Sequence, residues 1–137
     1  MQNDFWLNVA TKDISKAKEF YQKLGFKINV ERTNAQMLSM YMGGGKVVLN
    51  LFPEAMIKNF MGHTITDTKQ SNEVLFSIGA SSREEVDSLA KKAVEAGGTL
   101  YGKPSEHDGW MYGCGFVDLD GHRWNVLYMD MSKMPKG

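Results

Sequence analysis

Asp13-Ile14-Ser15-Lys16-Ala17-Lys18-Glu19-Phe20-Tyr21-Gln22-Lys23-Leu24-Gly25 reads as one amphipathic helix with both of its ends marked. The Asp13 carboxylate can accept hydrogen bonds from first-turn N–H groups. Gly25 can take the left-handed conformation that ends a helix. Between them Ile14, Ala17, Phe20, Tyr21 and Leu24 recur every three or four residues and form one apolar stripe, while Lys16, Glu19 and Lys23 face away from it. A second stretch repeats the design. Ser82 and Glu85 have the S-x-x-E spacing of a capping box, Val86, Leu89, Ala90, Ala93 and Val94 supply the stripe, and Gly97-Gly98 the stop.

Working outward from each helix gives the same neighbours. Strand-like runs precede them at residues 5–10 and 73–79, and short strand candidates follow at 27–31 and 99–103. Hairpins come next: 36–42 turns through Gly43-Gly44-Gly45 into 46–52, and 112–117 turns through Asp118-Leu119-Asp120-Gly121 into 122–129. The order strand, helix, three strands occurs twice, with little identity between the halves, so the repeat is one of pattern. The expected class is α+β, two βαβββ modules in a single domain spanning 1–137: module one at about 4–52, a linker at about 53–72, and module two at about 73–130. Within the linker, residues 53–61 can form a short helix with Met56, Ile57, Phe60 and Met61 on one side. Residues 130–137 are expected to fray.

Composition excludes several classes of function. A chain of 137 residues that is 42% hydrophobic can bury one core and is too short for two ordinary domains. Sixteen Lys plus Arg balance sixteen Asp plus Glu, so no excess charge favours nucleic acid or an anionic membrane. No apolar run approaches the ~20 residues of a spanning helix. The single cysteine, Cys114, cannot form an intramolecular disulfide, and the first six residues lack the pattern of a secretory signal; a cytoplasmic, reduced protein is expected.

The segment from Val9 to Asp13 leading into Glu19-Phe20-Tyr21-Gln22-Lys23-Leu24-Gly25-Phe26, together with Phe116-Val117-Asp118-Leu119-Asp120-Gly121-His122-Arg123-Trp124, resembles the vicinal oxygen chelate superfamily of glyoxalases, bleomycin resistance proteins and dioxygenases. The likeness covers nearly the whole chain and is strongest to the small bacterial group labelled predicted lactoylglutathione lyases, a label that rests on superfamily membership and not on chemistry. It implies two βαβββ sheets curled around a shared cavity, and a divalent metal held by the first and fourth strands of each module. Carried over one at a time, the metal positions fall on Trp6, Asn50, Glu73 and Asn125. Of these only Glu73 is an ordinary ligand, because an indole has no lone pair to offer and amide carbonyls contribute mainly beside charged groups. The expectation is a degenerate site with no resident metal, weak binding through Glu73 apart. His63, His107 and His122 read as solvated loop residues.

Strand parity gives an independent view of the same surface. Alternation sets Trp6 and Asn8 against Leu7 and Val9, Val48 and Asn50 against Val47, Leu49 and Leu51, Glu73, Leu75 and Ser77 against Val74, Phe76 and Ile78, and Arg123, Asn125 and Leu127 against Trp124, Val126 and Tyr128. The all-apolar sides suit packing on helices and the mixed sides suit a cavity wall. Trp6 reads as core packing or as a stacking surface. Asn8, Asn50 and Asn125 read as ligand contacts or as amides satisfied by each other or by water. Glu73 reads as a general base or as a solvated residue at a strand start, and Trp110 and Tyr112 as cavity rim or as core. Cys114 reads as a small buried side chain.

Two functions follow as expectations. The first is a metal-independent binder of an apolar or aromatic small molecule. The second is an enzyme of lyase, isomerase or thiol-transfer chemistry using a weak metal site or Glu73 as general base. A homodimer is expected, because the apolar edges of the curled sheets and the Met56, Ile57, Phe60 and Met61 cluster call for a covering surface; the competing reading is a monomer in which the cluster folds back onto its own domain.

Overall fold

The computed structural model describes residues 4–135, and within it the chain falls into two compact units that meet between Ser71 and Asn72. Met1 to Asn3 of the opening segment, and Lys136 and Gly137 of the expected frayed end, lie outside the described residues. The boundary coincides with the expected start of module two. Each unit is an α+β βαβββ module whose curled four-stranded mixed sheet stays open.

The first unit contains β1 (Trp6–Thr11), α1 (Ile14–Lys23), β2 (Lys27–Ile28), β3 (Leu38–Met42) and β4 (Val47–Pro53), in sheet order β1-β4-β3-β2. Here β1 runs parallel to β4, and the other pairs are antiparallel. The helix starts as its sequence demands: the Lys16 N–H donates to Asp13 Oδ1 at 3.0 Å. It stops in a Schellman turn, with Phe26 N donating to Tyr21 O at 3.0 Å and Gly25 at φ +89°. Ala17, Phe20, Tyr21 and Leu24 are buried by the helix, and Leu38, Met40, Leu49 and Leu51 by the sheet. Each fully buried side chain of this size stabilises the fold by roughly 1.5–3 kcal/mol.

Strand β2 is shorter than the expected 27–31. Asn29 N still donates to Ser39 O at 2.8 Å, in line with the β2–β3 register, but Thr33 N closes on Asn29 O at 3.0 Å, so the chain turns after Asn29 instead of extending the ladder to residue 31. The linker helix forms as α2 (Glu54–Met61), ended by Gly62 in the left-handed region; it buries Ile57 and packs Phe60 edge-on against Phe52, ring centroids 5.2 Å apart.

The second unit contains β5 (Leu75–Gly79), α3 (Arg83–Glu95), β6 (Thr99–His107), β7 (Met111–Val117) and β8 (Arg123–Met129), in sheet order β5-β8-β7-β6. Ser82 Oγ accepts from Glu85 N at 3.1 Å, whereas the Glu85 carboxylate reaches back to Ser81 and not to Ser82, so the capping box closes one residue early. The stop repeats that of α1: Gly98 N donates to Ala93 O at 2.8 Å with Gly97 at φ +102°. The core centres on Trp124, whose ring lies 4.7 Å from Phe76 and stacks at 6° on Phe116, against Val86, Ala90 and Ala93 of the helix.

Strand β6 runs four residues beyond the expected 99–103, through Pro104 to His107. Proline is tolerated because β6 is an edge strand, and the ladder to β7 absorbs it with register shifts between Leu100 and Gly102 and between Gly102 and Ser105. Among the described residues no helix is long and apolar enough to cross a membrane.

Candidate functional site

On the first sheet the residues opposite the helix-packed face form a row across three strands. Asn8 pairs with Asn50 in the β1–β4 ladder, and Ser39 pairs with Asn50 in the β3–β4 ladder, so one polar stripe crosses the middle of the sheet. Asn50 Nδ2 donates to Asn8 Oδ1 at 3.1 Å. Asn50 itself is only 4% exposed, and its Oδ1 and the buried Ser39 Oγ have no hydrogen-bond partner among the described residues. Trp6, two positions along β1 and opposite Val48, is 54% exposed and is not part of the core.

The second sheet is built on the same register. Leu75 pairs with Arg123 and Ser77 with Asn125, so Leu75 stands to Asn125 as Trp6 stands to Asn50. The helix caps agree: Trp6 lies seven residues before the N-cap Asp13, and Leu75 seven before the N-cap Ser82. The position equivalent to Trp6 is therefore Leu75 and not Glu73. Glu73 sits at a bend before β5, exposed, four positions ahead of the residue that faces Asn125.

The open face of this second sheet holds a pocket of about 480 Å³ lined by Tyr101, Lys103, Ser105, His107, Asn125 and Leu127, with Gly102, Gly113 and Gly115 and the edge of Cys114 beneath. That volume is in the range of small-molecule sites. The glycines matter because of what lies on them. A Cβ at Gly115 would come within 2.3–2.5 Å of three Tyr101 ring atoms, and one at Gly113 within 2.8 Å of Leu127 Cδ2, so both side chains lie down on bare backbone. Tyr101 is fixed there at both ends: its hydroxyl donates to Trp124 O at 3.0 Å, and the Arg123 guanidinium sits 4.8 Å from its ring centroid. Burial raises its phenol pKa above the ordinary value. Asn125 Nδ2 donates to Ser77 Oγ at 3.4 Å, a long contact, and Ser105 Oγ lies 3.3 Å from His107 Nε2.

The sequence candidates thus separate. Asn125 lies in this pocket, and Asn8 and Asn50 share the polar row of the first sheet. Trp110 is half-buried in the turn between β6 and β7. Tyr112 belongs to the opposite, helix-bearing face: its hydroxyl donates to Asp87 Oδ1 on α3 at 2.6 Å, with Arg83 over its ring at 4.9 Å. Cys114 is buried on that same face, its thiol directed at Val86 O and pushed up to about 11 by desolvation. Ser105 and His107 were missed because Pro104 made their segment read as a loop, and Lys103, at the end of the expected strand, was not among the site candidates. Had β6 been extended through Pro104, strand alternation would have placed 101, 103, 105 and 107 on one side.

Two donor sets bear on a metal. The carried-over positions, now Trp6, Asn50, Leu75 and Asn125, offer an indole, two amides and an alkyl chain, which do not fit a divalent ion. Asp118, Asp120 and His122 bring their ligand atoms within 4.8 Å of one another in the β7–β8 turn. There Asp118 Oδ1 already accepts from the N–H groups of Asp120 and His122, each at 2.9 Å, so that cluster builds the turn. His122 is only 9% exposed, contrary to its reading as a solvated residue, and His107 ends a strand instead of lying in a loop.

Comparison with known proteins matches residues 5–126 to the family model of the Glyoxalase/Bleomycin resistance protein/Dioxygenase superfamily. No curated protein matches. Among solved structures the chain is similar to hypothetical protein SA1046 from Staphylococcus aureus at 35% identity and TM-score 0.81, covering 93% of this chain and 94% of that one. A glyoxalase-related enzyme from Fulvimarina pelagi shares the fold at 19% identity and TM-score 0.82, covering 100% and 94%. A lactoylglutathione lyase from Agrobacterium tumefaciens does so at 15% identity and TM-score 0.66, covering 95% and 96%.

Proposed function

Because the chain belongs to the glyoxalase/bleomycin resistance protein/dioxygenase superfamily yet carries none of the ordinary metal donors at the matching positions, we propose that it is a small-molecule-binding protein taking an apolar or aromatic ligand without a metal centre. The observation that carries this reading is the pocket on the second sheet, where Tyr101 and Leu127 supply apolar wall and Asn125 and Ser105 a few polar anchors. A homodimer in a reducing, cytoplasmic setting belongs to the same reading; its support is the unpaired thiol of Cys114 and the exposed end of α2.

The enzyme reading with Glu73 as general base has less behind it. A proton-transfer carboxylate works best when enclosed near its substrate, and Glu73 is exposed and outside the pocket.

Elemental analysis of dialysed protein tests the metal half of the proposal: no stoichiometric zinc, nickel, manganese or iron is expected, and about one equivalent per chain would overturn it. The register is tested at the same time. The pair Leu75→His with Asn125→Glu is expected to gain zinc affinity that Asn125→Glu beside the native Glu73 does not. A thermal-shift screen of aromatic and aliphatic compounds tests the binding half; the absence of any stabilising compound would count against it.

A further inference from the structure

The open face of the second sheet is electrostatically one-sided. Its strand positions carry Leu75, Ser77 and Gly79; Arg123, Asn125, Leu127 and Met129; Met111, Gly113, Gly115 and Val117; and along β6 Thr99, Tyr101, Ser105 and His107. Lys103 joins them at the pocket wall. Among these residues there are two fixed cations, Lys103 and Arg123, one imidazole, His107, and no acid, although the chain as a whole has equal numbers of acidic and basic residues. The nearest carboxylate on β6, Glu106, has the opposite parity and is tied to Arg83 at 2.6 Å. Lys103 and His107 stand two strand steps apart on the same wall of the cavity, with Ser105 between them.

The floor has its own shape. Gly102 pairs with Gly115, and Ser105 pairs with Gly113, so four small residues meet where β6 and β7 run together, and the three glycines raise no side chain into the cavity. Tyr101 and Leu127 lie flat over the glycines. A surface of amide planes, one ring and one branched alkyl group suits a flat apolar body better than a bulky one.

Resting on the small-molecule reading above, we propose that this pocket selects planar organic anions, in particular aromatic carboxylates, with the ring on the Tyr101, Leu127 and glycine surface and the carboxylate against Lys103 and His107. Ser105 and Asn125 supply neutral hydrogen-bonding groups at the same wall. Arg123, already over the Tyr101 ring, adds positive potential without having to contact the ligand. An acid-free, partly enclosed wall favours a carboxylate over its neutral isostere because no like charge opposes it.

The test compares 2-naphthoate with 2-naphthamide, which share shape and differ in charge, by titration calorimetry on the full chain, with amide chemical shifts locating each ligand. The carboxylate is expected to bind about tenfold tighter, with an advantage that shrinks in added salt and is lost in the double variant Lys103→Gln, His107→Gln. Tyr112→Phe, on the other face of the sheet, is expected to leave both affinities unchanged. Equal affinity of the two probes, with shifts at Gly113 and Gly115, would overturn the charge selection and leave the pocket reading standing. A carboxylate preference that survives the double variant would overturn the assignment to Lys103 and His107. Failure of both probes to bind would remove the selection proposed here, while a neutral aliphatic compound bound at the same glycines would still uphold the broader reading.

Discussion

The Tyr101 ring lies directly on the backbone of Gly115, so closely that a single methyl group at position 115 would occupy the space of three ring atoms. Gly115 has no positive φ, and its side chain is excluded by space alone. Gly115→Ala therefore has one main consequence, displacement of Tyr101 with loss of its hydroxyl bond to Trp124 O and of its contact with Arg123. Overpacking of this kind costs about 1–3 kcal/mol. In a Tyr101→Ala background the same substitution should cost much less, and the coupling is read from urea denaturation of the four proteins in a double-mutant cycle. Equal cost in both backgrounds would show that something other than the ring excludes the methyl.

Asn50 gives the opposite expectation. It occupies an inner strand of the first sheet, buried, with its amide Nδ2 bonded to Asn8 and its Oδ1 unpartnered among the described residues. A buried acceptor without a partner costs roughly 1–3 kcal/mol, and replacing it by an apolar group of similar size removes that cost, while the exposed Asn8 can turn to water. Asn50→Leu should be neutral or stabilising by up to ~1 kcal/mol. By contrast Leu49→Ala, one residue away on the helix-packed face, should lose about 2–5 kcal/mol. Thermal denaturation of the two variants checks the pair. A strongly destabilised Asn50→Leu would mean that the polar row is structural.

The helices and their caps were legible because capping and periodicity are local. Asp13, Ser82 and the two glycine stops act within a few residues of themselves, and the structure uses all of them. The apolar sides of the strands were legible for the same reason, and Leu49, Leu51, Trp124 and Val126 are buried as alternation requires. What escaped depended on the neighbouring strand. Whether Pro104 breaks β6 is decided by the strand's place at the sheet edge, which one segment does not reveal, and with β6 cut short at Lys103 the pocket residues Ser105 and His107 dropped out of view. The assignment of Glu73 failed differently. Trp6 stands seven residues before the Asp13 cap, and the same interval before Ser82 falls on Leu75, whereas Glu73 has ligand chemistry without the register. Tyr112, which read as cavity rim or as core, lies on the helix-bearing face that it shares by parity with Cys114 and Phe116.

Cys114 sets a pH limit on stability. Its thiol is buried and desolvation raises its pKa from 9.0 to about 11. In that interval the folded protein keeps a proton that the unfolded chain has lost, so unfolding releases protons and stability falls as pH rises. The contribution is intact below pH 9 and is lost progressively through about pH 11. Cys114→Ser, whose hydroxyl does not ionise there, should show a shallower decline over the same range in chemical denaturation. Labelling of the native protein by a thiol-disulfide reagent at pH 8 should likewise be slow and accelerate in denaturant, since a protonated, buried sulfur is a poor nucleophile. Rapid native labelling would show that the thiol is open to solvent.

The last prediction concerns α2. Of the four apolar residues expected to cluster there, Ile57 is buried and Met56 half-buried, so part of the cluster is satisfied by its own unit. Phe60 and Met61 are not: they remain 61% and 59% exposed at the C-terminal end of the helix, just before Gly62 turns the chain. Two large apolar side chains side by side at a helix end form a patch that burial would stabilise, and a two-fold pairing with a second copy doubles the area covered because each chain contributes the same patch. We expect a homodimer, with light scattering at micromolar concentration giving a mass near twice 15.4 kDa. Phe60→Glu with Met61→Glu should return the mass to that of one chain with the fold retained, since neither side chain is in the core, although losing the Phe60 ring contact with Phe52 lowers stability somewhat. A wild-type mass of one chain would rule the dimer out, and a dimer that survived both substitutions would place its interface elsewhere.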